Sequence, residues 1–373
     1  MRPYQRGGAS FRPSPAHGEG LGVGVSSDGA LLHERFSDLD RLIQHGRALR
    51  TLVEHPDGAV RQVAGDPPVP GARLGLLAGS FNPPTIAHQT LAQAGLTAGG
   101  LDHAWYALST RTVDKEVVTG AGLEDRLLLL DLLVATDRRL GVLLLNRGLY
   151  VDQARLVRAT YPELSELVFL VGFDKIVQIF DPRYYEDRDA ALEQLFALAT
   201  FLVAPRGADE APALAALLDR PENRRFAGAV RPLDLPPALR EVASSTVRLD
   251  LASGVPLEQV VPPEVTAFVE ATGLYADEAR YDRRRALIDD ALAALTADPS
   301  ADLAPYRDRL RALLTPDLFP PPARQGCQWA EVAPPGSSPT IDIVEPSRCT
   351  RRLGRESEPH RTVRQTPIWG GGK

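Results

Sequence analysis

Short runs of consecutive apolar residues alternate with amphipathic stretches between residues 73 and 233. Runs without polar interruption are typical of strands that are buried on both faces of a parallel sheet. Apolar residues three or four positions apart are typical of helices that cover such a sheet. The predicted strands are 73–78, 102–108, 139–145, 166–171, 199–204 and 228–233. The predicted helices between them are 87–98, 122–136, 151–160, 186–197 and 209–219.

This alternation of strand and helix predicts an α/β fold. We expect a doubly wound parallel sheet of the Rossmann type, with ligands bound at the carboxyl ends of its strands. Helical spacing of apolar residues predicts further helices outside the alternating region. They are 31–53, 245–253, 263–272, 277–296 and 302–314.

Composition divides the chain into five parts. Residues 1–30 are rich in Gly, Ser and Pro, and residues 319–373 are rich in Pro, Gly, Ser and Arg. We expect both to be disordered tails, with a flexible partner-binding arm as the less favoured interpretation of the second. Between the tails we expect a helical extension and linker at 31–72, a main domain at 73–276 and a helical pair at 277–318.

Charge and cysteine content exclude several classes of protein. The 373 residues carry a net charge of -6 with both signs mixed, and no basic stripe indicates a nucleic-acid surface. No apolar run approaches the ~20 residues that a membrane helix needs, and no leader pattern precedes the first helix. The only two cysteines lie in the Pro-rich tail, which argues against a disulfide framework or a zinc site. We expect a cytoplasmic protein without nucleic-acid or membrane partners, and a homo-oligomer stays open.

Residues 79–88 are the segment most suggestive of chemistry. They read Gly-Ser-Phe-Asn-Pro-Pro-Thr-Ile-Ala-His and lie between a predicted strand and a predicted helix. A glycine turn from strand into helix presents backbone N–H groups that can hold a phosphate. His88 stands at the helix start, where its ring can donate a hydrogen bond to a charged oxygen. An ordinary β–α turn explains the glycine alone, whereas the strand, the Pro pair and the histidine together favour a phosphate loop.

A second candidate phosphate site is the segment 242–248, which reads Val-Ala-Ser-Ser-Thr-Val-Arg. Two serines at a predicted helix start offer hydroxyls and N–H groups, and Arg248 follows one turn later. The simpler interpretation is a helix N-cap with a surface arginine. Its combination with the segment 79–88 favours a phosphate site.

Both segments resemble motifs of one family. Residues 79–88 resemble the GSFNPxTxxH signature of nicotinamide/nicotinate mononucleotide adenylyltransferases, within the (H/T)xxH nucleotidyltransferase superfamily, at every fixed position. Residues 242–248 resemble the family's ISSTxxR motif with a departure. If Arg248 is the anchor, Ala243 replaces the first serine; if Ser-Ser-Thr is the anchor, the arginine comes one residue early. We prefer the Arg248 anchor, because the chain then reaches the family's closing segment at 273–275 without a gap.

The resemblance covers about residues 73–275 and implies a Rossmann-like nucleotidyltransferase fold with an ATP site. In the family pattern, the backbone near Ser80 and Phe81 approaches the phosphates, and Thr85 and His88 form the (H/T)xxH pair. His88 and Arg248 resemble catalytic residues that stabilise developing charge rather than act as nucleophiles. The implied ATP-binding residues are Gly79, Ser80, Phe81, Thr85, His88, Ser244, Ser245 and Arg248.

The resemblance also implies a mononucleotide site. Residues 171–175 match the family's GxD turn, with Phe173 in place of a small residue, and 146–152 resemble the segment R-x-x-Y-T-x-D that closes over the pyridine ring. Residues 181–185 are a candidate loop over the mouth of the site. The implied mononucleotide-binding residues are Asn82, Lys115, Arg147, Tyr150, Gly172 and Asp174. The alternatives for four of these positions are a solvated Lys115, a surface Arg147, a core Tyr150 and a helix-capping Asp174.

The implied reaction is adenylyl transfer from ATP to nicotinamide or nicotinate mononucleotide, which gives NAD or its acid form and pyrophosphate. No protein metal site is expected, and Mg2+ would be carried with ATP. Arg147 favours the acid form of the mononucleotide, whereas the sequence of the segment 79–88 resembles that of enzymes that accept the amide form.

Three alternatives remain open. The first is a related nucleotidyltransferase that acts on phosphopantetheine or a small phosphate. The second is a non-catalytic nucleotide-binding sensor on the same fold, against which the presence of both His88 and Arg248 argues. The third is an interaction protein whose function lies in the tails.

Overall fold

The computed structural model describes residues 34–53, 55, 58–111, 120–205, 210–234, 247 and 260–314. Its strands are β1 (Val60–Ala64), β2 (Arg73–Gly79), β3 (His103–Ser109), β4 (Leu140–Leu145), β5 (Glu166–Gly172), β6 (Thr200–Ala204) and β7 (Val230–Pro232). Its α-helices are α1 (Leu39–Val53), α2 (Ile86–Thr97), α3 (Leu123–Val134), α4 (Tyr150–Thr160), α5 (Phe173–Phe180), α6 (Arg188–Leu198), α7 (Glu210–Asp219), α8 (Pro263–Thr272), α9 (Glu278–Ala297) and α10 (Ala304–Leu314).

The seven strands form one sheet in the order β1-β4-β3-β2-β5-β6-β7. All neighbours from β4 to β7 are parallel, and β1 is antiparallel to β4. From β2 the chain winds outward through β3 and β4, and from β5 it winds the other way. The order therefore reverses between β2 and β5, where a doubly wound sheet opens a crevice at the carboxyl ends of its strands. This confirms the predicted α/β class and its parallel sheet.

The strands are continuously apolar because both faces of the sheet are covered. In β4, Leu143 and Leu145 belong to one core cluster with Phe169, while Val142 and Leu144 belong to a second cluster on the other face. All four β4 side chains are fully buried. Alternate side chains of a strand point to opposite faces, so a strand covered on both faces must be apolar at every position.

The six predicted strands are confirmed to within two residues, and a seventh was missed. Val60–Ala64 lies in the segment that the sequence suggested was a helical extension and linker. Its residues are mostly half-buried and two are polar, so no apolar run or clean alternation marks it. It is a strand because it pairs with β4 along the edge of the sheet.

One helix prediction needs correction, and one helix was missed. The helix predicted over 31–53 has its continuous part at Leu39–Val53. Helix α5 was not predicted, because the sequence favoured a turn at its start; its buried face is Ile176, Ile179 and Phe180 at helical spacing. The helix predicted at 245–253 lies outside the described residues, apart from Val247.

A third core cluster joins the ends of the described chain to the main sheet domain. Phe36 and Leu42 from the N-terminal side pack with Leu128 of α3, and with Ile288 and Leu310 from the predicted C-terminal helical pair. One cluster thus crosses both of the sequence boundaries at 72 and 276. Among the described helices, none is long and apolar enough to span a membrane.

Candidate active site

Residues 79–88, here called the glycine loop, follow β2 at the point where the strand order reverses. A Cβ built on Gly79 would lie 3.0 Å from two ring atoms of Phe81, because the loop folds back tightly on itself. Phe81 is fully buried and has a φ of 44°, in the left-handed region that a non-glycine residue rarely adopts. Such backbone is retained where the surroundings fix it, and it clusters at binding sites. The Asn82–Pro83 peptide bond is cis.

His88 is held by the start of helix α2. Thr85 is the N-cap residue, and its Oγ1 accepts the His88 amide N–H at 3.4 Å. The His88 Nδ1 in turn accepts the Thr85 amide N–H at 3.0 Å and lies 2.7 Å from Thr85 Oγ1. Because an amide N–H can only donate, Nδ1 is the acceptor, and the neutral ring carries its proton on Nε2. The cap therefore fixes the tautomer that presents a donor at the far side of the ring.

Buried polar contacts hold the glycine loop from behind. Arg126 is buried; its Nε donates to Ala121 O at 2.7 Å, and its Nη1 lies 3.5 Å from Ser80 O. Asn82 Oδ1 accepts the Ala121 amide N–H at 2.9 Å and the Tyr275 hydroxyl at 2.6 Å. Asn82 is 1% exposed, so its described contacts are internal to the protein. Its predicted role toward the mononucleotide stays a prediction.

A cleft of about 880 Å3, open to solvent, adjoins the glycine loop and the carboxyl ends of β2 and β3. Three of the predicted site residues line it: Gly79, Ser80 and Tyr150. Tyr150 packs edge-on against Phe169 with ring centroids 5.0 Å apart, and burial raises the pKa of its hydroxyl. The tyrosine is thus a core residue that also forms a wall of the cleft, and its predicted stacking on the pyridine ring stays a prediction.

Other predicted residues lie beside the cleft rather than along it. Arg147 donates from Nη1 to Asn146 O at 3.2 Å, and a Cβ built on Gly58 would lie 3.2 Å from its Cζ. Gly172 is the N-cap of α5, and Asp174 is exposed in the first turn of that helix. Among the described residues that line the cleft, none of these three occurs.

Four predicted residues lie outside the described residues. They are Lys115, Ser244, Ser245 and Arg248. The neighbouring Val247 is described and is buried in the third core cluster. The convergence of the two phosphate motifs on one ligand stays a prediction.

The cleft also contains residues that sequence reasoning did not select. They are Ser109, Arg111, Gln153, Lys175 and Gln178. Tyr184 and Tyr185, from the predicted loop over the mouth, line it as well. A positional signal existed for both Ser109 and Arg111, since Ser109 is the last residue of β3, the strand next to β2 in the sheet, and Arg111 follows just beyond the strand. No motif marks them, which is why they were missed.

The described residues contain no group of three or more His, Cys, Asp or Glu side chains arranged to hold a metal ion. Among its described lining residues, the cleft offers the backbone of Gly79 and Ser80, two cations and three tyrosine rings, and His88 of the glycine loop is not one of the lining residues. These groups suit the binding of phosphates and an aromatic ring.

The sheet reversal, the glycine loop and the histidine-capped helix together define a nucleotide-binding α/β protein. A protein from Stenotrophomonas maltophilia named "Probable nicotinate-nucleotide adenylyltransferase" is 30% identical over 219 residues, covering 53% of this chain and 94% of that protein. A protein of the same name from Shouchella clausii is 28% identical over 213 residues, covering 55% and 97%. The chain belongs to the nicotinate-nucleotide adenylyltransferase family, a family of nucleotidyltransferase enzymes.

Two further comparisons complete these findings. No protein-family model matches the chain. The solved structure of Plasmodium falciparum nicotinic acid mononucleotide adenylyltransferase complexed with NaAD is 15% identical, with a TM-score of 0.42, and the match covers 55% of this chain and 97% of that one.

Proposed function

We propose that this protein transfers the adenylyl group of ATP to a pyridine mononucleotide, giving NAD or its acid form and pyrophosphate. The observation that carries the proposal is the glycine loop at the sheet reversal, with His88 fixed as an Nε2 donor. Membership of the adenylyltransferase family supports the same reaction. The substrates are then ATP with its Mg2+ and the mononucleotide.

The chemistry needs no base from the protein. A phosphate oxygen of the mononucleotide attacks the α-phosphorus of ATP, and the bond from that phosphorus to the bridging oxygen of the β-phosphate breaks. The nucleophile is already an oxyanion and pyrophosphate leaves as an anion, so no proton has to move. Catalysis is therefore a matter of positioning and of stabilising charge.

His88 is the residue of the glycine loop that we propose stabilises that charge. Its Nε2–H would donate to an oxygen of the α-phosphate, and the Thr85 cap holds the ring so that little reorganisation is needed. The backbone at the start of the glycine loop, near Ser80 and Phe81, would present N–H groups to the same phosphates. We assign Ser244, Ser245 and Arg248 to the triphosphate by the family motif alone. Mg2+ bound to ATP would neutralise phosphate charge when the substrate arrives.

The first test is direct turnover. The full chain is incubated with ATP, Mg2+ and either nicotinate or nicotinamide mononucleotide, and the dinucleotide and pyrophosphate are measured. A parallel incubation with phosphopantetheine tests the related activity. Dinucleotide formation is the expected result; adenylyl transfer to phosphopantetheine alone would replace this function by the related one.

The second test is His88→Ala. Loss of a donor that acts on developing charge lowers kcat by about 10²–10³-fold in comparable sites. His55→Ala, at an exposed histidine remote from the glycine loop in sequence, is the matched control and should keep wild-type turnover. A His88→Ala protein that unfolds at the wild-type urea concentration and retains full kcat would refute the role of the imidazole.

A further inference from the structure

The cleft beside the glycine loop is positively charged. Arg111 and Lys175 line it, and among the described lining residues none is acidic. Burial raises the pKa of Tyr150, and it raises that of Tyr185 to about 12, so these walls stay uncharged at neutral pH. The half-buried Asp181, outside the lining, is paired with Arg183 at 2.6 Å. A cleft with aromatic walls and two cations suits an aromatic ligand that carries negative charge.

The backbone at Arg111 is fixed at the end of β3. Ser109 Oγ lies 2.6 Å from Arg111 O and 2.9 Å from Arg147 O, and it accepts the Arg111 amide N–H at 3.1 Å. One hydroxyl proton serves one carbonyl at a time, and the two contacts together join the end of β3 to the turn before α4. Gln153 holds the same turn, because its Nε2 donates to Arg147 O at 3.0 Å and to Gly148 O at 3.2 Å. The Arg111 side chain therefore extends from a backbone that is held in place at the rim of the cleft.

The two cations of the cleft differ in their surroundings. The Lys175 ammonium donates to Gln178 Oε1 at 2.8 Å, within the first turns of α5. The Arg111 side chain is exposed just beyond the carboxyl end of β3, and no described residue pairs with its guanidinium. Arg147, which the sequence favoured for reading an acidic ring, is turned toward Asn146 and the chain at Gly58 instead.

We propose that Arg111 determines specificity for the ring substituent, by binding the carboxylate of nicotinate mononucleotide and so selecting the acid over the amide. This inference rests on the proposed function. A guanidinium presents parallel N–H donors that match the two oxygens of a carboxylate. A carboxamide offers one acceptor oxygen and sets its own NH2 donor against the cation. Arg111 therefore gains a charge-assisted pair with the acid that the amide does not provide.

The test is Arg111→Gln, with binding and turnover measured for both mononucleotides. Titration calorimetry gives the Kd of each mononucleotide without ATP, and steady-state kinetics give each kcat/KM. The preference for the acid over the amide should fall about 10- to 100-fold in Kd and in kcat/KM, the range set by one charge-assisted pair. The values for the amide should stay within about twofold of wild type, because the amide lacks that pair.

Three further variants sharpen the result. Arg111→Lys keeps the charge but not the planar fork, so it should retain part of the preference. Arg47→Gln removes an exposed arginine on α1 and should leave both substrates unaffected. Lys175→Gln removes the other cation of the cleft and should leave the acid-to-amide ratio within about threefold of wild type, because Lys175 is paired with Gln178.

The outcomes separate this inference from the proposed function. In one outcome the wild-type protein forms the dinucleotide, and Arg111→Gln weakens binding of the acid and of the amide equally. Arg111 would then bind a group common to both mononucleotides, and the inference would fail while the proposed function stands. If Lys175→Gln lowers the acid-to-amide ratio as much as Arg111→Gln does, the preference depends on the total positive charge of the cleft, and the inference also fails. If no dinucleotide forms but acid binding is lost only in Arg111→Gln, the proposed reaction fails and the binding role stands. Wild-type protein that binds neither mononucleotide overturns both.

Discussion

Thr85 serves a helix and an imidazole at the same time. Its hydroxyl caps α2 by accepting the His88 amide N–H, and its own amide N–H fixes Nδ1 of the ring. The residue is fully buried, so water cannot substitute for either contact. Part of this was visible in the sequence, because a threonine three residues before a polar side chain at a helix start is typical of a capping box. The use of a histidine in place of Glu or Gln, and hence the ring tautomer, required the structure.

We expect Thr85→Ala to lower stability and turnover together. Loss of the cap should reduce the free energy of unfolding by about 1 kcal/mol. The imidazole keeps the amide contact but loses the hydroxyl beside Nδ1, so kcat should fall by about 10-fold through misplacement of the donor. Urea unfolding and steady-state kinetics measure the two effects. Thr85→Ser keeps the hydroxyl and should recover most of both; equal losses in Ala and Ser variants would contradict the role of the hydroxyl.

At the scale of elements, helix α9 supports the region behind the glycine loop through α3. Arg284 of α9 forms an ion pair with Asp125 at 2.5 Å, and both side chains are buried. The Tyr281 hydroxyl donates to Asp125 Oδ2 at 2.5 Å and accepts the Gly122 amide N–H at 2.8 Å. The next residue of α3, Arg126, reaches Ser80 O and Ala121 O. Contacts therefore run from the C-terminal helices to the loop that we propose binds phosphate.

The sequence predicted helix α9 but not this contact. Arg284 lies in the run Arg283-Arg284-Arg285, and such a run is typical of a solvated helix face. Only its middle member is buried, because Asp125 approaches from α3, 159 residues earlier in the chain. Periodicity within one element carries no information about a partner on another. The same reason explains why six strands were predictable from apolar runs, whereas β1, which depends on β4, was not.

We expect Arg284→Met to be strongly destabilising. It leaves the Asp125 carboxylate buried without its cation, which costs about 3–5 kcal/mol in comparable pairs. Adding Asp125→Asn should recover part of that loss, because the uncompensated charge is then removed. Arg155→Met, which breaks the exposed pair with Asp152, should cost at most about 1 kcal/mol. Urea unfolding of the four proteins checks this, and similar losses for Arg284→Met and Arg155→Met would contradict it.

For the whole molecule, one buried histidine couples stability to pH. His45 in α1 is 2% exposed, and neither ring nitrogen forms a hydrogen bond of good geometry with a described residue. Burial lowers its pKa to about 4; Asp131, a weak contact with the Glu124 backbone and Asp125 oppose the shift, and Arg41, which is paired with Asp131, adds to it. His45 is thus protonated near pH 6.5 in the unfolded chain, but only near pH 4 in the folded protein. The contribution of neutral His45 to the free energy of unfolding is fully present above pH 6.5 and is lost as the pH falls toward 4.

We expect His45 to contribute about 3 kcal/mol to the acid loss of stability between pH 6.5 and 4. His45→Leu removes the titrating group, so the free energy of unfolding should vary less with pH across this window. His55→Leu, at an exposed histidine, should keep the wild-type profile. Urea unfolding at several pH values compares the three proteins. A His45→Leu protein with an unchanged slope would rule out this source of pH dependence.

The antiparallel edge strand β1 shows how an N-terminal extension can be added to a sheet of this topology. Because β1 precedes β2 in the chain and is added beside β4, the winding of β2 through β7 is left intact. A parallel strand at that position would have required a crossover passing over the sheet, whereas an antiparallel one needs only a return along its rim. An N-terminal segment can thus add an edge strand to this sheet without changing the topology of the nucleotide-binding part.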